Sequence, residues 1–365
     1  MGGNKKIMAV FGTRPEAIKM CPLIKELRLR DGMDVKICLT GQHMELTDEV
    51  MGIFDEVADH RLDLMKTAQT LSYVTAHVLD GFGEILDSER PDIVLVHGDT
   101  TTAFAACLAA FYRGITVGHV EAGLRSHDMS APFPEEYNRR SISLTARLHF
   151  APTQYAAENL MHEGISCSDI HITGNTVTDA LKYTLRDDFH SQYLSQDGRL
   201  IFLTAHRRES IGAPLEGMLS AVLDIVKEYE DVRVIYPLHP NPRIREIADK
   251  ILGGHERIIL CPPLDVVTCH NIMARSYLIL TDSGGIQEEA AALRVPVLIM
   301  RNVTERQEGI VSGIARLAGT DTYQISATVR ELLGDPSVRQ GMSRCPNPYG
   351  DGDACKRIAD ALQLF

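Results

Sequence analysis

The sequence has no apolar run approaching the roughly 20 residues that a membrane-spanning helix needs. It has no basic excess either: Lys and Arg number 37 against 49 Asp and Glu, a net charge of −12 at pH 7. Broad binding to nucleic acid or an anionic membrane needs a basic surface, so neither is an expected partner. A local basic pocket for a phosphorylated small molecule stays open. The eight cysteines (Cys21, Cys38, Cys107, Cys167, Cys261, Cys269, Cys345 and Cys355) stand singly, without a CxxC or a His/Cys cluster. Zinc sites and a disulfide framework are therefore not expected. No GxxxxGK[ST] loop occurs, and the first strand-to-helix turn lacks GxGxxG. Low-complexity linkers, solenoid repeats and heptad arrays are missing as well. The opening "MGGNKKIMAVFG" runs straight into a strand pattern, without separate n-region, h-region and cleavage site. The expected location is the cytoplasm.

What is present is a soluble globular profile, 44% hydrophobic and 24% charged, over 365 residues, enough for two domains. Short β-rich apolar runs alternate with longer amphipathic stretches. "KIMAVFG" leads to "EAIKMCPLIKELRLR" and "DVKICLT"; "DIVLVHG" leads to "TTTAFAACLAAFYRG" and "TVGHV". Later come "LIFLTAH", "VRVIYPL", "RIILCPP", "YLILTD" and "VPVLIM". Strands without polar alternation are buried on both faces, which predicts parallel βαβ architecture. The units break near "ITGNTVTDA" and restart at "RLIFLTAH", so the expected domains are 1–173 and 174–351.

Ligands of open parallel sheets bind beyond the carboxyl ends of the strands. Polar and charged residues crowd there, about half from each domain, which places the expected site in the interdomain cleft. In "FGTRPEAIKM", Arg14 sits at a strand end with Pro15 preset for the first helical turn. It reads as a bidentate phosphate or sugar ligand, against a surface pairing with Glu16 or Asp31. Lys19 is open between ligand and surface. In "VHGDTTTA", Asp99 and its threonines suit a helix cap, which does not exclude ligand contact. Glu121 in "GHVEAGLRSHD" either pairs with Arg125 or does acid/base work. In "APFPEEYNRR", Glu135 and Glu136 open a helix, where the macrodipole favours negative charge, so one of them can be structural. His206 in "TAHRRES" and His239 in "YPLHPNP" come after strands in the same way.

"TDSGGIQEEA" contains a DSGG also found around the nucleophile of trypsin-like proteases, but those are all-β and this chain is βα throughout. Two readings remain. In one, Ser283 caps a helix whose N-terminus binds phosphate through Gly284 and Gly285, and Glu289 reaches a ribose diol. In the other, the glutamates only complement the macrodipole, the role expected of Glu288. Arg301 and Arg306 in "RNVTERQEG" stand in the next strand-end loop, available to a diphosphate.

Together "FGTRPEAIKM", "HGDTTTA", "GHVEAGLRS", "PFPEEYNRR", "ITGNTVTDAL", "HRRES", "TDSGGIQEEA", "TER" and "NPYGDGDACKRI" run in order over nearly the whole chain. The chain resembles the bacterial non-hydrolysing UDP-N-acetylglucosamine 2-epimerases. The resemblance implies an α/β fold of two Rossmann-like domains in the GT-B arrangement, with 352–365 packing back on the first. It implies reversible conversion of UDP-GlcNAc to UDP-ManNAc through elimination of UDP to 2-acetamidoglucal and its re-addition, without metal or nicotinamide. Hydrolytic release of ManNAc and UDP, a GT-B glycosyltransferase and a UDP-sugar sensor are the alternatives. Asp99, Glu121 and Glu135 resemble the acid/base set, with His206 near the diphosphate. Arg14, Lys19, Ser283, Gly284, Gly285, Glu289 and Arg306 resemble the UDP-sugar contacts. An effector site for UDP-GlcNAc as activator would use Gln42, His43, Arg207 and His239; Glu45 and Ala68 depart from its pattern. Asn302 and Val303, and Cys269 where an aromatic is usual, are further departures. A homodimer and supply of ManNAc to cell-surface polysaccharide are implied by the family alone.

Overall fold

The computed structural model of the chain describes residues 4–41, 44–62, 64, 70–194, 197–207 and 210–365. The apolar runs form the strands of two all-parallel sheets. The first unit comprises Met1–Tyr183 with Gly350–Phe365, and the second Thr184–Tyr349.

In the first unit the strands are β1 (Lys5–Phe11), β2 (Met33–Leu39), β3 (His60–Arg61), β4 (Ile93–His97), β5 (Thr116–Val120), β6 (Leu148–Ala151) and β7 (Ile170–Ile172). They lie in the order β3-β2-β1-β4-β5-β6-β7. In the second the strands are β8 (Arg199–Thr204), β9 (Val232–Pro237), β10 (Ile258–Cys261), β11 (Leu278–Thr281), β12 (Val297–Ile299) and β13 (Ala315–Leu317). Their order is β10-β9-β8-β11-β12-β13. β4 and β11 are buried along their whole length, as their unbroken apolar sequence requires when helices cover both faces. Each sheet reverses its winding once, between β1 and β4 and between β8 and β11. Those are the switch points at which a crevice opens beyond the strand ends.

The domain expectation needs adjustment at two places. The helix Thr176–Thr184 comes after β7 and belongs to the first unit, so the division falls after Tyr183 rather than before Gly174. Gly174 turns the chain at a positive φ of 88° between β7 and that helix. The return also begins at Gly350, two residues before the expected 352. The last helix, Ala354–Leu364, packs on the helix Arg14–Arg28. Its own N-cap residue makes no side-chain cap bond. Instead Asp179, from the helix Thr176–Thr184, accepts from the N–H groups of Ala354 at 3.2 Å and Cys355 at 3.1 Å. Among the described residues no helix is long and apolar enough to cross a membrane.

Candidate active site

At the switch point of the first unit, three loops leave β1, β4 and β5. Glu16 ties two of them together. Its carboxylate accepts from the N–H groups of Gly12 (2.9 Å) and Thr13 (2.8 Å) and from the Thr100 hydroxyl (2.7 Å). Burial pushes this carboxyl up, and those hydrogen bonds only partly offset it. Thr100 also caps the helix Thr101–Phe111 by accepting from Ala103 N–H at 3.0 Å.

Glu121 is the first residue after β5, and its φ of 64° is left-handed, a conformation costly for a side chain with a Cβ. The strain turns the carboxylate into a buried cluster. Glu121 Oε2 forms an ion pair with Lys19 Nζ, accepts from Asn175 Nδ2 at 2.8 Å and lies 3.7 Å from His97 Nε2. The Lys19 and Glu121 side chains are only 7% and 9% exposed. Burial pushes the His97 imidazole down to about 4, against the opposing pull of Glu121, so it is neutral at pH 7. Neither ring nitrogen of His97 has a hydrogen-bond partner among the described residues. Beside it, Asp99 pairs with Arg139, and Asn138 Nδ2 donates to the Asp99 carbonyl at 2.9 Å.

The two glutamates that open the helix Glu135–Thr145 divide their roles. Glu136 is fully buried and accepts from the N–H groups of Ser126 (2.9 Å) and His127 (3.2 Å) while pairing with Arg139 and Arg140. It is a structural staple. Glu135 stays partly accessible.

In the second unit the switch-point strands end in Ala205–Arg207 and Asp282–Ser283. Asp282 is fully buried. Its Oδ2 accepts from the N–H groups of His206 and Arg207, both at 2.9 Å, and Arg207 Nε donates to its carbonyl at 3.0 Å. One carboxylate thus holds the start of the loop after β8. The His206 ring stacks on His239, with centroids 5.5 Å apart and planes 9° from parallel. Burial and then the His206 charge push His239 down from its ordinary value.

Beyond β11, Ser283 takes the N-cap position of the helix Gly284–Ala292. Gly284 stands where a Cβ would come 2.3 Å from Arg306 Nη1, so only glycine lets that guanidinium close on the helix start. Arg306 Nε donates to Glu288 at 2.7 Å, and its other arm pairs with Glu305. Glu305 also pairs with Arg301 (2.9 Å) and Arg207 (3.5 Å). Burial pushes the Glu305 carboxyl up, but Arg306, Arg301 and Arg207 together outweigh it and hold it near 2. Glu289 Oε2 lies 3.5 Å from His270 Nε2, and His270 Nδ1 meets the Thr184 hydroxyl at 2.8 Å.

The family model for UDP-N-acetylglucosamine 2-epimerase matches residues 25–363. This chain belongs to that family. It is 50% identical over 359 residues to the UDP-N-acetylglucosamine 2-epimerase of Bacillus subtilis, covering 98% of this chain and 94% of the relative. Among solved structures, the Staphylococcus aureus MnaA–UDP complex superposes with a TM-score of 0.94 at 47% identity, covering 99% and 96% of the two chains. The UDP-GlcNAc 2-epimerase of Neisseria meningitidis, bound to UDP-GlcNAc, gives 0.92 at 39%, covering 99% and 100%. The fold alone extends to a glycotransferase of kitacinnamycin, with a TM-score of 0.67 at 13% identity, covering 100% and 99%.

For this epimerase-family chain, the expected site residues fall into two described groups. Lys19, Asp99 and Glu121 gather at the switch point of the first unit, and Arg14 opens the helix after β1. His206, Arg207, His239, Ser283, Gly284, Gly285, Glu289 and Arg306 occupy strand ends or adjoining helices of the second. Gln42 and His43 lie outside the described residues, as does Ala68.

Three expectations change. Glu121 pairs with Lys19 rather than Arg125, whose guanidinium instead holds Glu163 at 2.7 and 2.8 Å. Ser283 sits at the cap position but its side chain makes no cap bond. Its N–H instead donates to Thr281 Oγ1 at 2.9 Å. Glu288 is not a solvated charge answering a macrodipole: it is fully buried and anchors Arg306. Beside these residues the structure places Glu16, Arg139, Asn175 and His270, which the sequence does not single out, and His97, a strand-end candidate. His97 carried a signal, since it precedes Gly98 and Asp99 at a strand end; the others carried none that spacing could reveal.

Proposed function

We propose that the chain interconverts UDP-GlcNAc and UDP-ManNAc without hydrolysis. The C2 proton leaves to a carboxylate as the C1–O bond to UDP breaks, giving 2-acetamidoglucal. A proton then returns to C2 on the opposite face, and UDP re-adds at C1. Asp99, Glu121 and Glu135 are the acid/base set. Arg14, Lys19, Ser283, Gly284, Gly285, Glu289 and Arg306 hold the UDP-sugar, and His206 sits near the diphosphate, where cations and backbone N–H groups stabilise the departing charge. The observation that carries this reading is the buried Lys19–Glu121 pair with Asn175 and His97 around it, beside Asp99 on Arg139. A strained, desolvated carboxylate with its own cation suits proton transfer at a weakly acidic C–H far better than it suits mere structure.

On the same reading the protein is a cytoplasmic homodimer that supplies ManNAc units for cell-surface polysaccharide. UDP-GlcNAc also acts as an activator, engaging Arg207 and His239. Proton and phosphorus NMR of a UDP-GlcNAc incubation tests the reaction. UDP-ManNAc in equilibrium with substrate supports it; free ManNAc with UDP would instead mean capture of the glucal by water.

A further inference from the structure

Asn175 opens the helix Thr176–Thr184, and its amide works in two directions. Oδ1 accepts from the N–H of Val177 at 3.0 Å, satisfying one of the open donors of that helix. Nδ2 donates to Glu121 Oε2 at 2.8 Å, across 54 positions of sequence. The residue is 3% exposed. Both halves of the amide are therefore committed, which fixes its orientation.

We infer that Asn175 is a positioning residue for Glu121, a neutral donor that pins Oε2 and thereby aims the other oxygen at the reacting carbon. This rests on the proposed role of Glu121 in moving the C2 proton. The other oxygen, Oε1, lies over Gly98, 3.8 Å from where a Cβ would stand there. A partial turn of the carboxylate would move Oε1 off that line, and the Asn175 bond to Oε2 opposes the turn.

The charges around the amide explain why an amide stands there. Glu121 faces Lys19 from the helix Arg14–Arg28 and His97 from the end of β4, with Asp99 and its partner Arg139 nearby. Lys19 already supplies the countercharge. A second cation would stabilise the carboxylate further and weaken it as a base; a carboxylate would repel it. An amide fixes direction and leaves the net charge unaltered.

Two substitutions separate the donor from the helix cap. Asn175→Ser keeps a short oxygen acceptor for the helix and deletes the donor. Asn175→Asp keeps the shape and the cap acceptor but sets a carboxylate against Glu121. Asn175→Ser should lower kcat on the order of ten- to a hundredfold with KM little changed, the loss of one hydrogen bond to a charged group. In Asn175→Asp the two carboxylates share a proton up to a higher pH. The acid limb of the kcat–pH profile, and the Glu121 carboxyl titration read by 13C NMR of glutamate-labelled protein, should both move up by about one pH unit or more. Glu121→Gln assigns the resonance. Wild-type kcat and an unmoved carboxyl titration in folded variants would overturn the inference. A wild-type protein that never epimerises would overturn the proposed reaction instead, and the titration would still decide the Asn175 contact.

Discussion

Lys19 and Glu121, 102 positions apart in sequence, meet as an ion pair in which each side chain is less than a tenth exposed. A pair so placed is stable only as a pair. Removing one partner strands the other charge in a desolvated site, which costs about 3–5 kcal/mol, whereas replacing both can be nearly neutral. Glu121→Gln should therefore lower stability in urea titration, and Lys19→Met combined with Glu121→Gln should recover much of it. The double variant should remain inactive, which separates the structural from the chemical role of the pair. Equal stability of all three proteins would contradict the buried-pair account.

Acid should unfold the protein in two windows. His97 and His119 are held down to about 4 and about 3, from an ordinary 6.5, mainly by burial. Below pH 6.5 the unfolded chain binds protons that these folded imidazoles refuse, so stability falls until the pH passes the folded values. The His97 share is about 3 kcal/mol by linkage. Glu305, depressed from 4.5 to about 2, contributes stability above pH 4.5 that is lost as pH falls through 2, again about 3 kcal/mol. His97→Gln should flatten the stability curve between about pH 6.5 and 4. Glu305→Gln should flatten it below about 4.5. Curves parallel to wild type would contradict these assignments.

The two glycines at the start of the helix Gly284–Ala292 should behave differently. Gly284→Ala drives a methyl into Arg306 and should destabilise the protein by about 1–3 kcal/mol. At Gly285 a Cβ meets nothing within 4 Å, so Gly285→Ala should fold at least as well as wild type. If UDP approaches the backbone there, Gly285→Ala should still weaken UDP binding in calorimetry. Undiminished UDP affinity in folded Gly285→Ala would remove the helix start from the binding site.

The strand ends were legible because parallel strands buried on both faces leave unbroken apolar runs. The polar residues just past each run then mark themselves as candidates, Asp99, Glu121, His206 and Ser283 among them. Pairings were not legible where the partners come from different elements. Nothing in the spacing of "GTRPEAIKM" says that Lys19 turns towards β5, or that Asn175 reaches back to Glu121. Glu288 misled because a glutamate early in a helix has an ordinary surface explanation; only its burial against Arg306 removes it. The domain boundary differs because β7 is three residues long, too short a run to announce that one more helix of the first unit comes after it.

The central claim is proton exchange at C2 through a glucal formed by loss of UDP. Incubation of the wild-type protein with UDP-GlcNAc in deuterium oxide, and then NMR, tests it most directly. The account predicts deuterium at C2 in both UDP-GlcNAc and UDP-ManNAc, with this exchange abolished in Asp99→Asn and Glu121→Gln. UDP-ManNAc that forms while retaining its original C2 proton would contradict it.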